Sequence, residues 1–72
     1  MIETRRYAYF YAIIDLDTRM CIEVQDTTNY ADPELYPEYI PIPEWNEEYI
    51  CKYYINGAWY EDAEGTIPWS PN

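Results

Sequence analysis

The sequence predicts a mainly β protein: a small antiparallel sheet of four to five strands built from two hairpins, with at most one short helical turn. Three observations carry that expectation. Residues 50–62 hold two short apolar runs separated by Asn56-Gly57, the preferred dipeptide of a two-residue type I′ hairpin. Residues 5–25 hold a second pair of runs, of strand composition and broken by an Asp-rich turn. Elsewhere, six prolines interrupt the chain too often for a helix of ordinary length.

Arg5 to Ile14 reads as the first strand. Tyr7, Tyr9, Tyr11 and Ile13 alternate onto one face, and Ala8, Phe10, Ala12 and Ile14 onto the other. Both faces are apolar or aromatic, which suits a central strand covered on each side. Asp15-Leu16-Asp17-Thr18 supplies the turn. Met20 to Gln25 follows as the return strand, with Met20, Ile22 and Val24 expected to face inward and Glu23 outward.

Asp26 to Pro37 reads as a loop, with room for one helical turn after Asp32, since Asp-Pro-Glu fits an N-cap followed by proline at the first helical position. Glu38 to Ile42 reads as a short third strand, placed at an edge because Pro41 cannot donate to a ladder. Pro43 to Tyr49 fits one turn of helix or a wide loop. Counting outward from Asn56-Gly57 then sets a register: Ile55 opposite Ala58, Tyr54 opposite Trp59, Tyr53 opposite Tyr60, Lys52 opposite Glu61. Residues 1–62 are read as one small β domain. Residues 63–72, with Gly65, Pro68 and Pro71, are read as a tail from which Ile67 and Trp69 could pack back.

Composition narrows the function. The chain has 72 residues, and a domain of this size buries only about 60% of the surface its unfolded form exposes. Ten Tyr, three Trp and one Phe are more rings than so thin a core can enclose. Tyrosine suits an interface, because its hydroxyl stays hydrated while the ring is covered. The rings predicted for such an interface are Tyr7, Tyr9, Tyr11, Trp45, Tyr53, Tyr60 and Trp69. Association as a dimer or trimer is the expected device for stabilising a chain with few other staples.

Fourteen acids against four bases give a net charge of −10, which repels phosphate backbones and argues against nucleic acid as a partner. There is no histidine, so acid–base chemistry would fall to scattered carboxylates or Lys52, and no enzyme is expected. Neither a metal nor any other cofactor is expected: Asp15, Asp17 and Glu23 lack the ligand number and glycine of a calcium loop, and Cys21 and Cys51 are each solitary. No signal peptide opens the chain, so these cysteines are expected as free thiols of a reducing compartment. The longest apolar stretch, Tyr7 to Ile14, is too short to span a membrane.

The order of these pieces also resembles the small proteins of bacteriophage and prophage tail modules. The matching segments are Tyr7–Asp15, Cys21–Val24, Ile40–Pro43 and Lys52–Glu61, so the resemblance covers about residues 7–62. The chain departs from that pattern at Cys51, where glycine is common. The resemblance implies a structural or assembly role in the tail-fibre region, in contact with its own copies or with other tail proteins. It also implies a place in the cytoplasm of a bacterial host or in the virion. It carries over no active residue. Two rival readings rest on the residues alone. One is an acidic mimic of DNA that occupies a basic host protein, suggested by the charge concentrated after residue 19. The other is a carbohydrate-contacting module using Trp45, Trp59 or Trp69.

Overall fold

The computed structural model describes residues 9–71. The first half of the predicted N-terminal strand, with Tyr7, lies outside them. The fold is mainly β and antiparallel. Among the described residues five strands divide into a three-stranded and a two-stranded sheet, and a single 3-10 turn at Glu47–Tyr49 accompanies them.

β1 (Tyr9–Ile14) is the central strand of the larger sheet, flanked by β2 (Cys21–Thr27) and β3 (Tyr39–Pro41). Its even positions build the core: Ala12 and Ile14 are buried with Cys21, Ile40, Ile42 and Tyr49, and Phe10 packs against them. Burying an aliphatic side chain of this kind contributes about 1.5–3 kcal/mol. The β1–β2 turn is tied by the Asp15 carboxylate, which accepts from the amides of Asp17 (2.8 Å) and Thr18 (3.2 Å). Arg19 closes it in the left-handed region, at φ 70°.

One inward residue predicted for β2 is displaced. Ile13 pairs with Glu23, but Ile14 pairs with Cys21, so β2 spends two steps where β1 spends one. This β-bulge reverses the alternation below Glu23. Cys21 takes the core position opposite Ile14, Val24 keeps its inward place opposite Ala12, and Ile22 turns out with 54% of its surface exposed.

β3 pairs with β1 through Ile13–Tyr39, Ala12–Ile40 and Tyr11–Pro41. The bonds Ile14 N to Glu38 O and Ile42 N to Phe10 O (both 2.9 Å) bracket this ladder. Ile40 therefore directs its amide toward β1, while Tyr39 and Pro41 face theirs outward. The outer edge is closed to a further strand: Tyr39 N already donates to Tyr36 O (3.0 Å), and Pro41 has no N–H.

β4 (Tyr53–Ile55) and β5 (Ala58–Tyr60) form the C-terminal hairpin in the predicted register. Asn56 and Gly57 sit at φ 51° and 83°, as a type I′ turn requires. The ladder ends at Tyr53–Tyr60. The expected Lys52–Glu61 pair is replaced by other partners, because Lys52 Nζ lies 5.0 Å from the centre of the Trp69 ring and Glu61 N donates to Ile67 O (2.8 Å). Trp69 N in turn donates to Trp59 O (3.0 Å), so the proline-containing segment lies along β5.

The two sheets meet at a seam. Met20 bridges to Tyr53, Tyr54 N donates to Arg19 O (2.9 Å), and Cys21 N donates to Lys52 O (2.7 Å). Cys51 N donates to Cys21 O (2.9 Å), with Cys51 at φ 76°. Two residues, Cys51 and Lys52, thus oppose one, and the first is left-handed, which is the geometry of a G1 bulge. Beneath the seam the Tyr49 ring meets Trp59 and Trp69 edge-on, at 4.9 and 5.1 Å between centroids.

Candidate functional site

The odd positions of β1 point away from the core, and there the second group of rings assembles. Tyr9 and Tyr11 stack at 6.3 Å with 16° between their planes. Tyr30 meets Tyr9 edge-on at 5.6 Å, Tyr39 meets Tyr11 at 5.6 Å, and Tyr36 meets Tyr39 at 5.8 Å. The result is an unbroken chain of five tyrosines, Tyr30–Tyr9–Tyr11–Tyr39–Tyr36. Each contact is in a range that favours aromatic pairs by about 0.5–1.5 kcal/mol beyond area burial.

Two elements hold this chain in place. The strands contribute Tyr9, Tyr11 and Tyr39 as a register-fixed row. The loop after β2 contributes Tyr30 and Tyr36, and is tied down where Ala31 N donates to the Tyr11 hydroxyl (2.9 Å). Farther along, Asp32 caps a single turn: its carboxylate accepts from Glu34 N (3.0 Å), and its carbonyl accepts from Leu35 N (3.0 Å) and Tyr36 N (2.8 Å). The proposed start of a helical turn at Asp-Pro-Glu corresponds to this turn.

The loop crosses the face without covering it and leaves a hollow on either side. One, of about 230 Å³, has Tyr9, Tyr30 and Tyr39 on its walls together with Pro33, Pro41 and Pro43. The other, of about 310 Å³, is more polar and includes Gln25, Thr27 and Asn29. Among the described residues no cation lines either. Of the two described cations, Arg19 donates from Nε to Tyr54 O (3.0 Å), and Lys52 lies over Trp69. Acids adjoin two wall residues of the first hollow in sequence: Asp32 and Glu34 flank Pro33, and Glu44 follows Pro43.

The residues predicted for an interface fall into three situations. Tyr9 (36% exposed) belongs to the tyrosine chain, and Trp45 (48% exposed) stands apart from it on the approach to the 3-10 turn. Tyr11 is only 2% exposed, enclosed by the protomer's own loop, and it anchors the chain rather than presenting a surface. Tyr53 and Tyr60 are half-buried as a cross-strand pair, and Trp69 is half-buried against Tyr49. Tyr30, 63% exposed, and Tyr36 were absent from the prediction because their loop has no periodicity. Their one signal was composition, as two rings in a polar, proline-containing loop gain nothing from strand propensity.

Among the described residues no group of three or more His, Cys, Asp or Glu is placed to hold a metal, and no helix is long and apolar enough to cross a membrane. Cys21 is buried, which pushes its thiol above the usual range; Cys51 is exposed, and the two are not bonded. The Asp62 carboxylate accepts from the Thr66 hydroxyl and from the amides of Thr66 (3.0 Å) and Ile67 (2.9 Å), and these bonds, the hydroxyl first, lower its pKa. It organises the turn before Trp69. No protein-family model, curated protein or solved structure matches the chain.

Proposed function

We propose that this protein is a non-enzymatic interaction module that acts through its tyrosine face, associating with its own copies as a dimer or trimer and with other proteins of an assembly. The observation that carries the reading is the division of the rings. Tyr49, Tyr54, Trp59 and Trp69 serve the core, while five tyrosines form a separate chain on the opposite face of β1. Rings ordered outside the core are poised for binding, because a tyrosine already held by its neighbours loses little rotamer freedom on contact. The resemblance to phage and prophage tail proteins favours an assembly of that kind as the setting.

Light scattering after gel filtration, at low micromolar concentration and at two salt concentrations, tests the reading. Association through rings should survive or strengthen in high salt, where repulsion between chains of charge −10 is screened. Replacing Tyr30 and Tyr36 together by alanine should return the species to a protomer with unchanged circular dichroism. A wild-type protein that stays monomeric at both salts removes the self-association.

A further inference from the structure

The smaller hollow has a more specific chemistry than the face around it. We infer that it is a docking groove for an extended, proline-rich segment carrying Lys or Arg, supplied by a partner protein and bound in the polyproline II conformation. This rests on reading the tyrosine face as a protein-binding surface, and it names the class of ligand.

The first argument is the wall. Tyr9, Tyr30 and Tyr39 line it together with Pro33, Pro41 and Pro43, and the tyrosines are fixed by edge-on contacts of 5.6–5.8 Å. Flat rings with hydroxyl tips suit a polyproline II helix, whose prolyl rings need apolar cover and whose carbonyls have no internal donor. The second argument is the edge. A peptide entering beside β3 would most simply add a strand, but Tyr39 N is committed to Tyr36 O and Pro41 has no N–H to offer. Strand addition therefore lacks its donors. A polyproline II segment needs none from the backbone and can accept from tyrosine hydroxyls instead.

Charge is the third argument, and it chooses the flanks of the ligand. Among the described residues no cation lines the groove, and the acids Asp32, Glu34 and Glu44 are the chain neighbours of its wall residues Pro33 and Pro43, in a chain of net charge −10. A Lys or Arg beside the prolines approaches this acidic chain at complementary charge. A neutral glycan, the other ligand that stacks on tyrosine, gains nothing from it.

The test is a titration of the ¹⁵N-labelled protein, followed by its amide resonances, with a synthetic peptide of roughly ten residues bearing two arginines and a run of prolines. Saturable shifts confined to residues around Tyr9, Ala31, Tyr39 and Ile42 are expected. Tyr30→Ala, at a position too exposed to threaten the fold, should weaken binding about tenfold. Changing the prolines to alanine, or the arginines to glutamate, should each do the same or more. The inference is overturned if either altered peptide binds as tightly as the original, or if the shifts map elsewhere. It is equally overturned if nothing saturates by about 1 mM, or if a cello-oligosaccharide saturates the groove and the peptide does not. Should the peptide fail while Tyr30→Ala/Tyr36→Ala still breaks self-association, the ligand class is wrong and the interaction face stands. Should the peptide bind a protein that never self-associates, the reverse holds.

Discussion

Cys51 occupies a position that its backbone would give to glycine, and replacing it should stabilise the protein. At φ 76° the residue sits in the left-handed region, where a Cβ crowds the following carbonyl at a cost of about 1–2 kcal/mol. The side chain is exposed and unbonded, so its removal forfeits almost no packing. Against the relief stands the larger freedom of glycine in the unfolded chain, about 0.4–1 kcal/mol. At the middle of both ranges the difference leaves Cys51→Gly about 0.8 kcal/mol more stable than the wild type. In a domain of this size that is a rise in Tm of about 3–6 °C. Urea denaturation under reducing conditions, followed by circular dichroism, should show a higher midpoint at unchanged slope. Cys51→Ala keeps the Cβ and should fall within about 0.5 kcal/mol of wild type. If glycine is no more stable than alanine, the bulge does not hold the strain assigned to it.

Three further outcomes follow from other contacts. Tyr11→Phe removes the acceptor of Ala31 N and should cost about 1 kcal/mol, with faster hydrogen exchange at Ala31 as the local signature. Iodoacetamide should label one thiol of the native protein quickly, at exposed Cys51, and the second only on unfolding, since Cys21 is buried with its pKa raised; two equal rates would contradict the core position of Cys21. The Asp62 carboxylate has a lower pKa folded than unfolded, so its contribution to stability is present above the unfolded value and fades as pH falls through the folded one. Asp62→Asn should therefore lower Tm at neutral pH, and the gap to wild type should close in acid; a gap independent of pH would mean that the charge is irrelevant.

How much of this was legible in the sequence varies with distance along the chain. Asn56-Gly57 sets its hairpin locally, and counting outward from it reproduces three cross-strand pairs. The central place of β1 was readable because both of its faces are apolar, and Pro41 marked an edge. The bulge at Ile22 was not readable, since one extra residue leaves composition intact while reversing the alternation that places side chains. Nor was the seam, which joins Arg19–Cys21 to Cys51–Tyr54 across thirty or more positions by backbone bonds, where side-chain pattern says least. The excess of rings did foretell two populations. It did not say which ring would join which, and Tyr11, placed by sequence at an interface, is enclosed by a loop whose fold no local rule dictates.

The alternation along β1 has a consequence for how such a protein can diversify. Phe10, Ala12 and Ile14 answer to the core, whereas Tyr9 and the loop tyrosines Tyr30 and Tyr36 answer to the ring contacts of the opposite face. Selection acting on one set leaves the other largely untouched, because the backbone between them insulates the two sides. A lineage could thus exchange its exposed rings and remodel that face within a few substitutions, while the buried half of the same six-residue strand keeps the scaffold constant.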